Sequence, residues 1–230
     1  MKTKEKIIVL MSGGMDSTVC AAIAHSEFYD IHALHINYGQ KTESREEQSF
    51  NDICSYYSID KRLHVDIGYL KHIGGSSLLD TSIQISKADL LSKEIPNSYV
   101  PFRNANMLCI AVSWAEAIKA TKIYIGAVQE DSSGYPDCRK DFFDAFQLMI
   151  NQGTKPDTHI QIITPLLNMS KKEIIQTGNN LHAPLHLTWS CYGSEDKACG
   201  ICDSCALRLR GFAQAECIDP IEYAIVPKYL

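Results

Sequence analysis

Residues able to do chemistry cluster in three places along the 230-residue chain. The first is Ser12-Gly13-Gly14-Met15-Asp16-Ser17-Thr18, directly behind the apolar run Ile7-Ile8-Val9-Leu10-Met11. Two glycines let the backbone pass close to an anion. The free amides and positive dipole end of a following helix then point at that anion. Ser12, Ser17 and Thr18 add hydroxyl donors, and Asp16 adds a carboxylate. The loop is not of the kinase type, because no glycine in the chain precedes a lysine. Nor is it a dinucleotide fingerprint, because no two glycines are separated by one residue. The alternative is an ordinary strand-to-helix turn.

The second cluster is Cys191, Cys199, Cys202 and Cys205. Four thiolates spaced Cys-x7-Cys-x2-Cys-x2-Cys can close around one tetrahedral zinc, and a closed site of this kind leaves no position for water, so its role is structural. A redox pair or a persulfide carrier among Cys199, Cys202 and Cys205 is the competing reading. The residues from 191 to 217 carry Lys197, Arg208 and Arg210 against Glu195, Asp196, Asp203 and Glu216, a poor footing for nucleic acid. Cys20, Cys54 and Cys109 fall on apolar helix faces and read as core residues.

The third cluster is split between Tyr99-Val100-Pro101-Phe102-Arg103-Asn104-Ala105-Asn106 and the run from Gly126 to Arg139, which includes Glu130, Asp131, Ser132, Ser133, Gly134, Tyr135, Pro136, Asp137 and Cys138. Aromatic, acidic and basic groups together suit a planar, polar, heterocyclic ligand, with Arg103, Asn104, Tyr135, Asp137 and Arg139 as candidate contacts. Asp137 has a second reading, as the cap of the helix that follows it.

These groups need a frame. Short β-rich runs at 6–11, 31–37, 62–67, 122–127 and 160–164 alternate with helical segments at 16–28, 43–57, 104–120, 137–152 and 170–181. Such alternation implies crossover connections and a parallel sheet covered on both faces, a doubly wound α/β domain with five strands. Residues 1–185 are expected to form that domain, and residues 186–230 a small zinc-binding helical subdomain packed on it. The stretch from Gly74 to Pro96 has weak periodicity and reads as a mobile excursion. The chain has no internal repeat and no long linker.

Composition bounds the partners. A hydrophobic fraction of 45% and a charged fraction of 21% describe an ordinary globular protein. The net charge of −5 and pI near 5.9 disfavour a nucleic-acid binder. The five-residue run at Ile7 is too short for a signal peptide, no run reaches the length of a membrane span, and clustered cysteines suit a reducing compartment. A cytoplasmic location is expected, without membrane or nucleic-acid partners.

The first cluster resembles the PP-loop ATP pyrophosphatase family, whose signature Ser-Gly-Gly-x-Asp-Ser follows the first strand. The resemblance implies that Ser12, Gly13, Gly14 and Ser17 hold the β and γ phosphates of ATP, that Met15 and Thr18 belong to the same ATP-binding loop, and that Asp16 assists magnesium. AMP is then transferred to a substrate oxygen, and pyrophosphate leaves. Other segments narrow the resemblance to the 7-cyano-7-deazaguanine synthase branch of the queuosine precursor pathway. They are Tyr38-Gly39-Gln40, Val100-Pro101 with Arg103-Asn104, Glu130-Asp131, Ser133 to Arg139, Thr164-Pro165-Leu166 with Ser170-Lys171 and Glu173-Ile174, and the tail from Leu187 to Arg208. Two departures stand out: Lys41-Thr42 where the family often shows Arg-His, and Phe102 where glycine is common.

That branch implies an ATP-dependent ligase forming C–N bonds. It would turn 7-carboxy-7-deazaguanine and free ammonia into the nitrile through adenylated acid and amide intermediates, with one structural zinc per chain and a homodimeric assembly. Ser170 and Glu173 form a capping-box pattern that would aim a helix N-terminus, with Lys171, at the phosphates. Lys171 as a solvated surface charge is the alternative. Rival functions are a tRNA-modifying PP-loop enzyme of the thiolase or lysidine synthase type, a glutamine-dependent amidotransferase, for whose glutaminase domain there is no room, and a noncatalytic zinc module.

Overall fold

A computed structural model describes residues 4–92, 94–129 and 134–229; Glu130, Asp131, Ser132 and Ser133 of the third cluster lie outside the described residues. Five strands, β1 (Lys6–Leu10), β2 (Asp30–Asn37), β3 (Arg62–Asp66), β4 (Lys122–Ile125) and β5 (Gln161–Ile163), form one parallel sheet in the order β3-β2-β1-β4-β5. Helices α1 (Met15–Ser26), α2 (Glu43–Tyr56), α4 (Arg103–Ile118), α5 (Lys140–Gly153), α6 (Lys171–Asn180) and α7 (Asp203–Gln214) surround it, with α3 (Leu70–Ile73) as a single turn.

The sheet is wound on both faces because its central strand is apolar at every inward position on either side. Ile8 and Leu10 of β1 pack toward Leu108 and Ala111 of α4 and Phe143 and Phe146 of α5. Ile7 and Val9 point the other way, toward Val19 of α1, Phe50 of α2, Ile174 of α6 and Phe212 of α7. Strand order reverses between β1 and β4, and an open α/β sheet has its ligand crevice at such a point, outside the carboxyl ends of the strands. Ser12 and Gly126 stand at those two strand ends.

Element boundaries moved where side chains took up other work. Met11, Ile67 and Ala127 leave the ladder at the sheet's carboxyl edge. The helix expected from Asp137 begins at Lys140 instead, because Pro136–Cys138 forms a separate 3₁₀ turn and Arg139 is the capping residue of α5. Cys20 and Cys54 are buried as expected, but Cys109 is exposed, on the outer side of α4.

The stretch from Gly74 to Pro96 is irregular, yet it is tied at several points. Ser76, Ser77 and Leu78 are buried. Ser77 Oγ donates to Asn97 Oδ1 at 2.9 Å, and the Ala88 N–H donates to Ile201 C=O at 2.8 Å, joining this stretch to the cysteine-rich tail. That tail also shares the main core, since Phe212 lies 3% exposed among α1, α2 and α6 side chains. Among the described residues, no helix is long and apolar enough to cross a membrane.

Candidate active site

The glycine-rich loop is shaped by one close approach. Gly13 has φ +82°, and a Cβ added there would lie 2.5 Å from the Glu46 carbonyl oxygen and 2.9 Å from Ser49 Cβ. Only glycine lets the loop sit this tightly on α2. Gly14 caps α1 without any side-chain bond to the first-turn amides, Met15 among them, which leaves those donors for a ligand. Ser12 Oγ accepts the Gly14 N–H at 3.2 Å and lies 3.2 Å from Ser17 Oγ. Thr18 is fully buried and its hydroxyl donates to Gly14 C=O at 2.8 Å, so its oxygen is engaged within the loop and Thr18 is absent from the cavity wall. Gly13→Ala is expected to lower stability by about 1–3 kcal/mol through left-handed strain alone, and a thermal melt together with ATP titration checks it.

The capping box expected at Ser170 is present. Its N–H donates to Glu173 Oε2 at 2.8 Å, and its Oγ accepts the Glu173 N–H at 3.3 Å. Those bonds to Ser170 hold the Glu173 carboxyl below the usual carboxylate range. The box fixes the first turn of α6 so that Lys171, only 7% exposed, reaches Asp16 Oδ2 with its Nζ at 2.5 Å. Lys171 is therefore no solvated surface charge. Asp16 Oδ1 is buried without a hydrogen-bond partner. An orphaned carboxylate oxygen beside uncapped helix N-terminal amides fits a hard divalent cation such as magnesium.

A cavity of about 260 Å³ runs from this loop along the strand ends to α4. Ser12, Gly14, Asp16, Ser17, Lys171 and Arg208 line one part, and Tyr38, Glu46, Arg103, Asn104, Tyr135 and Tyr192 contribute further wall. Arg103 Nη1 donates to Tyr38 Oη at 3.0 Å, with its guanidinium 5.1 Å from the Tyr38 ring centre, and its Nε is buried without a partner. Tyr135 Oη lies 2.9 Å from Ser98 Oγ. Glu46 accepts from Thr42 Oγ1 at 2.8 Å and from Gln40 Nε2 at 3.1 Å, and burial pushes its carboxyl up to about 7.

Asp137 turns out to serve the earlier helix. It is 4% exposed, and its Oδ2 accepts the Asn104 N–H at 3.0 Å, in the first turn of α4, while Asn104 Nδ2 donates to the Asp137 carbonyl at 2.9 Å. This pairing aims Asn104, which lines the cavity. Asp137 itself does not line it, and Arg139 is exposed and outside the wall as well. At the first of the two departures from the family pattern, Thr42 orients Glu46 and Lys41 Nζ donates to Ile83 C=O at 3.2 Å. Phe102 is 61% exposed with φ +57°, a conformation that glycine adopts without strain.

Glu46, Trp189, Tyr192 and Arg208 also line the cavity and were not foreseen as site residues. Glu46 sits in the charged run Glu43-Ser44-Arg45-Glu46-Glu47, which reads as a solvated helix face. Only its third-to-fourth spacing from Phe50 and Ser49, both buried, distinguishes it.

The four clustered cysteine sulfurs lie within 4.8 Å of one another. Tetrahedral coordination at the usual zinc–sulfur length separates the sulfurs by about 3.8 Å, so the cluster fits such an ion with small adjustment. Backbone N–H groups already point at two of the sulfurs: Gly193 and Cys199 donate to Cys191 Sγ at 3.4 and 3.3 Å, and Ile201 and Cys202 donate to Cys199 Sγ at 3.5 and 3.4 Å. Amide donors of this kind favour thiolates over thiols. The cluster is wired to the glycine-rich loop, since the Trp189 N–H donates to Gly13 C=O at 2.8 Å two residues before Cys191.

The chain is similar to known proteins over almost its whole length. The 7-cyano-7-deazaguanine synthase of Chlorobaculum parvum is 57% identical over 225 residues, covering 98% of this chain and 99% of that protein. The 7-cyano-7-deazaguanine synthase of Chloroherpeton thalassium is 58% identical over 225 residues, with 98% and 100% covered. Among solved structures, a 4-thiouridine synthetase–RNA complex with bound ATP aligns with 78% of this chain and 41% of its own, at 18% identity and a TM-score of 0.49. The family model of the queuosine biosynthesis protein QueC matches residues 6–216, and with relatives this close along both full lengths the chain belongs to that family.

Proposed function

We propose that this protein is a 7-cyano-7-deazaguanine synthase, an ATP-dependent ligase that makes the nitrile of the queuosine precursor from 7-carboxy-7-deazaguanine and ammonia. The observation that carries the reading is the lysine-free Ser12–Ser17 loop at the point of strand reversal, with Lys171 and Asp16 paired beside it at 2.5 Å. Such a loop grips the β and γ phosphates and leaves the α phosphorus open to attack from the rest of the cavity.

In the first half-reaction a carboxylate oxygen of the substrate attacks the α phosphorus, the bond to the bridging oxygen breaks, and pyrophosphate departs. Ammonia then adds to the acyl carbon and AMP leaves, giving the amide. In the second half-reaction the amide oxygen takes AMP from another ATP. Loss of the remaining nitrogen protons and departure of AMP give the nitrile, because AMP leaves where hydroxide would not. Ser12, Ser17 and the first-turn amides of α1 bind the departing pyrophosphate, and Lys171 adds positive charge there. Asp16 Oδ1 would hold magnesium, which neutralises developing phosphate charge when bound. Arg103, Asn104 and Tyr135 orient the substrate, with Asp137 acting through Asn104. Arg139 as a direct contact finds no support in the lining of the cavity. The assembly is a homodimer, each chain carrying one structural zinc on Cys191, Cys199, Cys202 and Cys205, at work in the cytoplasm.

Incubation with ATP, ammonium and 7-carboxy-7-deazaguanine is expected to yield AMP and pyrophosphate twice per nitrile. The primary amide should appear as an intermediate and be consumed when supplied with ATP. Asp16→Asn should slow both half-reactions by about 10²–10³-fold, the usual loss on removing one group that stabilises transition-state charge. Substrate-dependent release of ADP and phosphate would overturn the reading of the loop.

A further inference from the structure

The cavity holds a carboxylate that adenylation leaves without a task. Glu46 lines the wall that Arg103 also lines, and each of its oxygens is held by one donor, Oε1 by the Thr42 hydroxyl at 2.8 Å and Oε2 by the Gln40 side-chain amide at 3.1 Å. Gln40 is itself oriented, because its Oε1 accepts the Tyr38 N–H at 3.0 Å, which turns its NH₂ group toward Glu46. An ionised carboxylate offers about four acceptor positions, so two remain after these bonds. A plane fixed at both oxygens, with spare capacity on each, is a forked acceptor for two parallel N–H groups.

Arg103 supplies the complementary donor. Its Nη1 is committed to Tyr38 Oη, whereas its Nε–H is buried and has no partner. A buried donor of this kind is costly to leave unmet, and it belongs to a residue that lines the cavity, so a ligand carbonyl is the acceptor it lacks. The wall thus presents two acceptors and one donor. A 2-amino-pyrimidin-4-one ring presents the matching set along one edge: an exocyclic amine, a ring N–H and a carbonyl.

We infer that Glu46 is the specificity-determining residue for the heterocycle, accepting hydrogen bonds from its 2-amino group and ring N–H while Arg103 Nε–H donates to the ring carbonyl. The inference rests on the function proposed above. Burial pushes this carboxylate up to about 7, and two ligand N–H donors favour its ionised form once the site is filled.

The test compares 7-carboxy-7-deazaguanine with its 2-desamino analogue as substrates of the zinc-loaded enzyme. The wild-type protein should prefer the amino compound by about 100-fold or more in kcat/KM, because the analogue leaves a buried acceptor unmet. Glu46→Gln should bring that ratio to within about threefold of unity, through a raised KM for the amino compound, with affinity for a nonhydrolysable ATP analogue retained. Glu46→Asp, which keeps the charge but withdraws it by one methylene, serves if the glutamine variant folds poorly and should also erode the preference. An unchanged ratio in the variants, with kcat lowered equally for both substrates, would overturn the inference and make Glu46 a proton acceptor. If the wild-type enzyme releases AMP with neither substrate, the proposed function fails, and this inference with it.

Discussion

If Cys191, Cys199, Cys202 and Cys205 hold the structural zinc proposed above, stripping that metal is expected to abolish ATP binding as well as to lower stability. Four sulfurs within 4.8 Å cannot all remain thiolates without a cation among them, so the apo cluster must protonate or spread. Apparent binding free energies of structural zinc reach about 10–16 kcal/mol in small modules, and much of that is folding energy. Here the structure held by the cluster includes the Ala198–Tyr223 bridge, the Tyr229 hydroxyl bonded to Gly200 C=O at 2.8 Å, and the Ala88–Ile201 bond. It also includes Trp189, whose N–H bonds Gly13 C=O, whose indole Nε1–H bonds Ser194 C=O at 3.0 Å, and whose ring receives the Arg45 guanidinium at 4.7 Å. Loosening Cys191 therefore releases the stretch of chain that braces the glycine-rich loop. Chelated protein should show a lowered melting temperature, a red-shifted Trp189 emission and loss of ATP binding by calorimetry, with elemental analysis reporting the metal lost. Cys202→Ser should reproduce this in part. Chelated, metal-free protein that still binds ATP with unchanged affinity would refute the coupling.

What the sequence made legible was local. The strand at Ile7 to Leu10 and the loop behind it follow from a continuous apolar run ending in Ser-Gly-Gly, and a strand buried on both faces needs no partner information to be recognised. The capping box at Ser170 was readable for the same reason, since both of its members lie within one turn. Groups whose environment is made by distant segments were not readable. Glu46 becomes a cavity residue only because Gly13 admits α2 to the loop, and Asp137 caps α4 only because two loops meet at the sheet's edge. Cys109 sits on a helix whose other face is packed, and a sequence pattern with apolar residues nearly all round cannot say which face that is. Arg208 reads as one more charge in a tail of mixed sign, yet it is among the largest fully buried side chains of the described residues.

Asp219→Ala is expected to destabilise the fold by about 3–5 kcal/mol, the cost of leaving one member of a buried ion pair uncompensated. Arg208 is 1% exposed, and each of its five N–H donors has an acceptor. Nε donates to Asp219 Oδ2 at 2.7 Å and Nη2 to Asp219 Oδ1 at 2.8 Å, a forked pair. Nη1 reaches Thr188 Oγ1 at 2.7 Å and Ser190 Oγ at 3.3 Å, and Nη2 reaches the Leu185 carbonyl at 3.3 Å. Asp219 is held from behind by the Tyr223 hydroxyl at 2.6 Å and the Ile221 N–H at 3.3 Å. The aspartate side chain is 5% exposed, so water cannot replace it without opening the tail. For a chain of this size a loss of that magnitude lowers the melting temperature by about 6–20 °C. Asp219→Asn should cost less, because the amide keeps an acceptor for one arm of the fork. Replacing Arg208 by Met and Asp219 by Val together should cost less than the sum of the single changes, since no charge is then stranded, although Arg208 also lines the cavity and, under the proposed function, its loss should weaken ATP binding in both backgrounds. Urea unfolding of the four proteins yields the coupling directly. A single Asp219→Ala variant within 1 kcal/mol of wild type would mean that the guanidinium finds solvent, and that the tail is far less tightly closed over α7 than the five bonds require.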